Sequence, residues 1–495
     1  MTATAIKTQY ETIIGLEVHV QLDTASKAFC SDAVQFGSEP NTHTSVISLA
    51  HPGTLLRANQ QQIEFAVRLG LALGCRINER SYFDRKNYFY ADLPKGYQIT
   101  QDKTPICVGG SLEITFLDPK TQKIVTKMVG IHHIHMEEDA GKSIHDQDPS
   151  VSFIDLNRAG TPLLEIVTEP DFRSGEEVDA FMTAMRHLVR WVGVSDGNME
   201  EGSMRCDVNI SIRPEGTTEF MTRCEVKNVN SMRFAREAIR YEAIRQEHIV
   251  ENGGQVQQNT LNFDPTTGKT TPLRSKENAH DYRYFPDPDL PPVVISVDYL
   301  EKIKADLPTL PWEARKEFKE KYGLPDYDAN FLTEEIAVFN YAKTLLSDVN
   351  TPPQYKTISN LIINKILPTA NELKIELTDF PLKNSLLIEF LSLIESGKVS
   401  NSAAYQNLFP ALLETPSVSA TVLAEKLNLF QNSDSDFLKK IVADVIAQNP
   451  QKVAEYRKGK KGLLGFFMGE VMKASKGKAE PKMTNTLVLK ALENG

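Results

Sequence analysis

Cysteine is scarce in this sequence, and long apolar runs are missing. The 495 residues include five cysteines, and no two of them stand in the Cys-x-x-Cys spacing of the common zinc and redox pairs. No segment has the roughly 20 apolar residues of a transmembrane helix, and the first nine residues lack the hydrophobic region of a secretory signal. We therefore expect reduced thiols, a cytoplasmic location and no contact with a membrane.

A nucleotide-binding P-loop is also lacking, although one stretch comes close to it. Ala140-Gly-Lys-Ser143 ends like the Gly-x-x-x-x-Gly-Lys-Ser pattern, but Met136 stands where the first glycine is needed. The net charge of -10 argues against a surface that binds nucleic acid throughout, yet it allows a local basic patch. We expect any nucleotide to be held by a metal ion and scattered cationic groups.

The most unusual stretch that is present is 131–142, where histidines, acidic residues, a glycine and a lysine stand together. Burying such charges unpaired costs more than a marginally stable fold can spare, so they need partners. A divalent cation and a phosphate fit them, because hard cations bind carboxylates and a lysine neutralises phosphate. In an extended segment Glu137 and Glu138 face opposite ways, so one of them reaches the metal, and alternation leaves open which one.

Three other segments alternate with the period of β-strands. Residues 12–22 place Glu17 and His19 on one polar face, and the predicted hairpin of 205–213 and 223–230 adds Asp207 and Glu225 to one surface. Together with one of the two adjacent glutamates, these residues form a possible ligand set of acidic oxygens and one imidazole. Without thiolates, magnesium or manganese is favoured over zinc. The alternative is a polar strand edge that faces solvent.

Two segments mix basic residues with features that suit nucleic acid. Residues 84–101 interleave aromatic and basic side chains, which favours a nucleotide or an RNA end, with an aromatic-rich hairpin as the alternative.

The proline-dense segment 281–292 marks the end of the first domain, and from about Tyr299 the pattern is mostly helical. Residues 457–478 then hold seven basic residues against the single acidic Glu470, which suits either RNA or ordinary charged helix ends.

Motifs along nearly the whole chain resemble the family of B subunits of bacterial aspartyl/glutamyl-tRNA amidotransferases, called GatB. The motifs are Gly15-Leu-Glu-Val-His19, Asp84-Arg-Lys-Asn-Tyr-Phe-Tyr90, His135-Met-Glu-Glu-Asp-Ala-Gly-Lys142, Asp155-Leu-Asn-Arg158, Met199-Glu-Glu-Gly-Ser203, Asp281-Tyr-Arg-Tyr-Phe-Pro286 and Met472-Lys-Ala-Ser-Lys-Gly477. The resemblance implies an α+β fold: a glutamine-synthetase-like cradle domain with a mostly antiparallel sheet (1–294), a helical domain (295–409) and a small α-helical YqeY-like tail domain that binds tRNA (410–495).

The resemblance also implies the reaction and its residues. ATP would phosphorylate the side-chain carboxylate of misacylated Asp-tRNA(Asn) or Glu-tRNA(Gln), and ammonia would displace the phosphate. The implied Mg²⁺ or Mn²⁺ ligands are Glu17, His19, Glu138, Asp207 and Glu225. Of these, Glu17, His19 and Glu138 also count as catalytic. Because the reaction brings two anions together and needs positive charge, we further expect Lys142 and Arg158 to be catalytic and Lys86, Lys142 and Lys227 to contact ATP.

Many members of the family carry an early zinc knuckle of four cysteines. Here the corresponding positions read Cys30, Asp32, Ser45 and Ser48, so we expect no zinc and an early loop held by packing alone. A source of ammonia is lacking as well, since neither an amidase-type Ser-Ser-Lys pattern nor a glutaminase cysteine context occurs. The resemblance implies that a glutaminase (amidase) A subunit, together with a small C subunit in a heterotrimer, supplies the ammonia.

Two other hypotheses fit the acidic residues. A metal-dependent phosphohydrolase or nuclease would use them in a two-metal site and would cleave RNA or nucleotides without any aminoacyl group. A non-catalytic tRNA-binding scaffold would use them only for structure. The amidotransferase hypothesis differs from both, because it requires ATP turnover that depends on Asp-tRNA or Glu-tRNA.

Overall fold

A computed structural model of the chain describes residues 9–145, 148, 150–227, 229, 231–275, 282–349, 351–431, 435–475 and 479–493. The chain forms two compact units, Met1–Pro311 and Trp312–Gly495. Asp281, Lys476, Gly477 and Lys478, which belong to segments singled out above, lie outside the described residues. Each unit is described here by itself.

All the strands found among the described residues belong to the first unit. They are β1 (Tyr10–Gln21), β2 (Arg76–Ile77), β3 (Arg80–Ser81), β4 (Asp84–Asn87), β5 (Tyr97–Thr100), β6 (Cys107–Val108), β7 (Ser111–Leu117), β8 (Ile124–Glu138), β9 (Lys142–Ile144), β10 (Phe153–Asp155), β11 (Pro162–Thr168), β12 (Met204–Pro214), β13 (Cys224–Lys227), β14 (Asn259–Asp264), β15 (Lys269–Ser275), β16 (Phe285–Pro286) and β17 (Val293–Val294).

One ten-stranded sheet dominates this unit. Its strands follow the order β15-β14-β13-β12-β1-β11-β8-β6-β2, and β7 pairs with the first half of β8. Among its described pairs only β13 and β14 run parallel. Strand β1 lies at the centre, between β12 and β11. Three smaller sheets stand apart: β16-β4-β5, β10-β9 and β17-β3.

Alternation along the central strands separates an apolar face from a polar one. In β1, Leu16, Val18 and Val20 are buried, while the residues between them are only half-buried. Successive side chains of a strand point to opposite faces, so this pattern directs every second residue into the core. Burying these aliphatic residues stabilises the fold by about 1.5–3 kcal/mol for each side chain. The other face is left for polar groups.

The described part of the first unit also contains the helices α1 (Gln60–Ala72), α2 (Gly175–Trp191), α3 (Met232–Glu251) and α4 (Val297–Asp306). Helices α1, α2 and α3 pack against strands of the large sheet. Helix α2 begins where the Ser174 hydroxyl accepts a hydrogen bond from the backbone N–H of Glu177, which satisfies a donor that the helix leaves free. Its buried stripe includes Val178, Phe181 and Met185.

The regular elements of the second unit are helices among its described residues, with one isolated β-bridge between Val399 and Phe430. From Pro311 onward the helices are α5 (Pro311–Glu320), α6 (Asp326–Phe331), α7 (Ile336–Ser347), α8 (Pro352–Leu361), α9 (Leu367–Leu373), α10 (Asn384–Glu395), α11 (Asn401–Ala403), α12 (Phe409–Glu414), α13 (Ala420–Lys426), α14 (Ser435–Gln448), α15 (Pro450–Arg457), α16 (Leu463–Ala474) and α17 (Pro481–Glu493), with π-helical turns at Ile362–Ile366 and Ala404–Leu408 and a 3-10 turn at Leu377–Asp379. The last four helices share a hydrophobic cluster that includes Leu438, Phe467 and Val488.

The fold class expected from the sequence is confirmed: a mostly antiparallel sheet domain is followed by helices. The predicted strand at 12–22 and the predicted pairing of 205–213 with 223–230 are confirmed too, since Asn209 lies opposite Glu225. The two boundaries between the three expected domains stay predictions. Among the described residues, no helix is both long and apolar enough to cross a bilayer.

Candidate active site

The polar face of the large sheet carries the candidate site, and β1 runs through its middle. Glu17 and His19 are two residues apart on β1 and point to the same face. Asp207 of β12 lies directly opposite Glu17, and Glu165 of β11 lies directly opposite His19. Opposed residues of antiparallel strands share a face, so the pairing register brings these four side chains together.

The first group consists of Glu17, Asp207 and Glu225. One carboxylate oxygen from each lies within 4.8 Å of those of the other two. Asn209 donates a 2.9 Å hydrogen bond from its side-chain amide to Glu17, while the Lys227 ammonium contacts Asp207 at 2.6 Å and Glu225 at 2.9 Å. Burial, and then the charges of Glu165 and Glu225, raise the pKa of Glu17. The group therefore holds more negative charge than its protein partners neutralise.

The second group consists of His19, Glu137 and Glu165, which also offer one ligand atom each within 4.8 Å of one another. The His19 Nε2 lies 3.2 Å from Glu165, and the His135 Nε2 lies 3.4 Å from the same carboxylate. Burial by itself would lower the pKa of His135, but Glu165 and Glu137 outweigh it and raise that pKa to about 10. In the metal-free protein His135 thus supplies positive charge to these carboxylates, and Glu165 and Glu137 also raise the pKa of His19 against the effect of burial.

Glu138 points away from both groups. Its carboxylate contacts the Lys95 ammonium at 2.6 Å and accepts a 3.1 Å hydrogen bond from the backbone N–H of Ile99. The predicted opposite orientation of the two adjacent glutamates is confirmed, and Glu137 is the one that faces His19. The structure therefore brings together four of the five expected ligands, in two groups, and leaves Glu138 outside them. Metal binding by the five residues stays a prediction.

The cationic residues expected at phosphates have different surroundings. Lys86 lies near the second group: burial would lower its pKa, but Glu137, Tyr284 and Glu165 raise it above its ordinary value. Arg158 donates hydrogen bonds to the carbonyl oxygens of Ala140 at 2.9 Å and Gly141 at 2.6 Å. Lys142 is exposed at the start of β9.

Four of these residues were not predicted as site residues. Glu165 was missed, although a lone carboxylate inside the apolar strand Pro162–Thr168 was a usable signal. His135 was counted only in the general 131–142 pattern, and its contact with Glu165 follows from strand register. Lys95 was part of the aromatic and basic segment but was given no partner. Glu137 was one of two alternatives.

The early loop is held by more than packing, so that expectation is wrong. The Asp32 carboxylate accepts hydrogen bonds from the backbone N–H of Ser45 at 2.9 Å and from the Ser48 hydroxyl, and Cys30 Sγ lies 3.4 Å from that hydroxyl. The buried Lys27 ammonium also donates to the His43 carbonyl at 2.7 Å. An acidic residue and two serines among four knuckle positions can hold the loop through hydrogen bonds, which explains the difference.

The donor atoms of both groups fit a hard divalent cation. Carboxylate oxygens dominate, one imidazole stands among them, and no thiolate is present in either group. The Lys227 ammonium lies against two carboxylates of the first group, where it supplies positive charge. Burial, and after it the charges of neighbouring carboxylates, raise the pKa of Glu17, and a bound cation would offset both effects. These observations agree with Mg²⁺ or Mn²⁺ and give no separate support for zinc.

Comparisons with known proteins define the class of this chain. A family model described as the GatB/GatE catalytic domain matches residues 12–301, and a second, described as the GatB domain, matches residues 344–492. The first match covers both carboxylate groups and more than half of the chain. The chain belongs to the GatB/GatE family.

Curated relatives match it over nearly its full length. It is 47% identical to the B subunit of the aspartyl/glutamyl-tRNA(Asn/Gln) amidotransferase of Geotalea daltonii, over 98% of this chain and 100% of the relative. Proteins of the same name from Herminiimonas arsenicoxydans (47% identical, 98% and 99% covered) and Crocosphaera subtropica (46% identical, 99% and 99% covered) are similar as well.

Proposed function

We propose that this chain is the subunit of a tRNA-dependent amidotransferase that activates the substrate carboxylate with ATP. The substrate is misacylated Asp-tRNA(Asn), Glu-tRNA(Gln) or both. The terminal phosphoryl group of ATP moves to an oxygen of the aspartyl or glutamyl side chain, and ADP leaves. Ammonia then attacks the acyl carbon, and inorganic phosphate leaves with the oxygen. The products are Asn-tRNA(Asn) and Gln-tRNA(Gln).

One observation carries the proposal: two groups of three side chains that could hold a metal ion are built around Glu17 and His19, which are two residues apart on β1. Phosphoryl transfer to a carboxylate brings two anions together, so catalysis consists mainly of positioning and charge neutralisation. A divalent cation bound by Glu17, Asp207 and Glu225, or by His19, Glu137 and Glu165, would supply that neutralisation. This chemistry requires no nucleophilic side chain.

Side chains of this chain can contribute the rest of the positive charge. Lys86 lies close enough to Glu137 and Glu165 for their charges to raise its pKa, so it stays protonated at neutral pH. Arg158, Lys142 and Lys227 are the other cationic residues that we assign to phosphate and carboxylate oxygens. Arg158 is oriented by two backbone carbonyls, which leaves part of its guanidinium available. Glu138 keeps its proposed role as a ligand and catalytic group, and its ion pair with Lys95 would have to open first.

The ammonia comes from other subunits in this proposal. A glutaminase (amidase) A subunit would hydrolyse glutamine, and a small C subunit would complete a heterotrimer with it. The relatives are named as one lettered subunit of an amidotransferase, which supports an assembly of several different chains. We propose a cytoplasmic location, in agreement with a role in the synthesis of aminoacyl-tRNA.

ATP turnover by the assembled subunits tests the function. We expect ADP release to require Asp-tRNA or Glu-tRNA. Glu165→Gln should lower the rate of ADP release at least 100-fold. The control Glu113→Gln, at an exposed position of β7, should leave that rate unchanged. ADP release without an aminoacyl group, together with RNA cleavage, would favour the phosphohydrolase instead. Full activity of Glu165→Gln and of Glu138→Gln would favour a scaffold.

A further inference from the structure

Four tyrosines form a continuous row of ring contacts at the surface of the first unit. Tyr90 contacts Tyr88 edge to face at 5.6 Å between centroids, Tyr88 contacts Tyr282 at 6.2 Å, and Tyr282 contacts Tyr284 at 5.9 Å. We call these four residues the tyrosine row. Tyr90 is 60% exposed, and the neighbouring Phe89 is 80% exposed. Tyr88 and Tyr282 are half-buried, so the most exposed aromatic surface is that of the neighbours Phe89 and Tyr90 at one end of the row. Adjacent exposed rings, in contrast to single ones, indicate a binding surface.

The backbone under this row is fixed. Asn87 donates from its backbone N–H to the Tyr282 carbonyl at 3.1 Å, and its side-chain amide donates to the carbonyls of Tyr282 at 2.9 Å and Arg283 at 3.0 Å. Arg283 has a φ of +46°, a left-handed conformation that is strained for a residue with a Cβ. These bonds hold two distant segments of the chain together, so the rings are presented on a preorganised surface.

The Phe89 ring rests against Gly96. A Cβ atom placed on Gly96 would meet the Phe89 ring at 3.0 Å and 3.2 Å, so the edge of the ring rests directly against that glycine. Gly96 has a φ of +71°, which L-residues rarely adopt. The remainder of the ring faces solvent, because 80% of the residue is exposed. A flat ligand can therefore reach the ring without displacing protein atoms.

Positive charge lies between the tyrosine row and the carboxylates. The Lys86 ammonium is 5.3 Å from the centroid of Tyr282 and 6.0 Å from that of Tyr88. The charges of Glu137 and Glu165 keep its pKa above the ordinary value. A ligand whose bases touch the rings would thus have its phosphates near a cation and its end directed toward the second group.

We propose that Phe89 and Tyr90 stack the unpaired bases at the 3′ end of an RNA substrate. Stacking on aromatic rings beside a cationic group is the usual way in which proteins hold single-stranded nucleic acid. A free nucleotide is a poorer occupant, because small-molecule sites bury 70–90% of their ligand and these two rings lie open at the surface. This inference rests on the proposed function, since it assigns the acceptor end of tRNA to a place beside the same site.

Direct binding tests the stacking separately from catalysis. The probe is an unacylated RNA minihelix with a single-stranded 3′ end and 2-aminopurine, whose fluorescence falls on stacking, as its last base. We expect the full chain, assembled with its partner subunits and without ATP, to quench this probe. Phe89→Ala and Tyr90→Ala should each weaken binding about tenfold and reduce the quenching. Binding without quenching, or equal affinity of both variants, would overturn the assignment.

Controls separate stacking from folding and from nucleotide binding. Phe220→Ala removes another ring of the same unit that is 65% exposed, and it should leave binding and quenching unchanged. Tyr90→Phe should retain both, because it keeps the ring. In turnover assays the alanine variants should raise the KM for aminoacyl-tRNA and leave the KM for ATP within twofold. A rise in the KM for ATP instead would assign the rings to adenine and overturn the proposal. Quenching by a chain that shows no turnover would refute the proposed function alone.

Discussion

Replacing Glu17 by Gln is expected to have opposite effects on stability with and without a divalent cation. Gln keeps an oxygen that can accept the 2.9 Å hydrogen bond from Asn209, so the change removes charge and little else. In the metal-free protein, burial and neighbouring carboxylates raise the pKa of Glu17 above its ordinary 4.5. An ionised carboxylate with a raised pKa lowers the stability of the fold above that pH range, so its removal should be stabilising at pH 7.5.

The size of this effect follows from the geometry. Two unit charges 4.8 Å apart, the upper limit within the first group, repel each other by about 3.5 kcal/mol at an effective dielectric constant of about 20. Glu17 meets two such charges, but the Lys227 ammonium lies against both and cancels much of their field. A net gain of about 1–3 kcal/mol remains. At roughly 2 °C for each kcal/mol, Tm should rise by about 2–6 °C.

Thermal unfolding with and without MnCl₂ measures both effects. A cation at 100 times its Kd should stabilise the unchanged protein by about 2.7 kcal/mol, and Glu17→Gln should lose most of that gain because a charged ligand is missing. Glu113→Gln, on an exposed position of β7, is the control and should behave like the unchanged protein. The reasoning fails if metal-free Glu17→Gln unfolds at a lower temperature, or if Mn²⁺ stabilises it as much as the original chain. Below pH 4.5 the metal-free difference should vanish.

Three other outcomes are expected. Arg85→Ala leaves the fully buried Asp287 carboxylate without its 2.7 Å partner and should cost about 3–5 kcal/mol. The loss should appear as faster hydrogen exchange at the Asp287 amide, which donates to the Phe83 carbonyl, and unchanged exchange there would contradict it. Asp32→Ala should cost about 1–3 kcal/mol and speed exchange at residues 41–51, and added zinc should not reverse this. Deleting residues 435–495 removes α14–α17 with their hydrophobic cluster. The deletion should raise the KM for tRNA and leave glutamine hydrolysis by the assembled subunits unchanged. An unaltered KM for tRNA would refute a role of these helices in tRNA binding.

Strand periodicity predicted much of the fold and part of the site. Residues 12–22 alternate so regularly that the strand, its buried face and the shared direction of Glu17 and His19 all followed from the sequence. Asp207 and Glu225 were placed on one surface for the same reason, and the structure pairs their strands as expected. Alternation also gave the opposite directions of the two adjacent glutamates at the end of β8.

Alternation within single segments could not predict the pairing register between strands that are distant in the sequence. Glu165 joins His19 because β11 pairs with β1 in one alignment, and a shift by one residue would turn its carboxylate to the other face. The family resemblance selected Glu138 as a ligand, whereas the structure places Glu137 beside His19 and Glu138 beside Lys95. The hydrogen bonds of Asp32 depend on how a loop folds back on itself, and no period in the sequence encodes that.

The central position of β1 has a consequence for how the site can work. Because this strand is hydrogen-bonded to a neighbour on each side, the α-carbons of Glu17 and His19 are kept at a fixed separation of about two strand residues, near 6.6 Å. The sheet therefore fixes the distance between the backbone positions of the two groups. Two ions bound there could not approach each other by backbone motion. In a reaction that needs both ions, the substrate would therefore have to place its own oxygen atoms at the two positions. The substrate moves, and the distance between the two groups stays fixed.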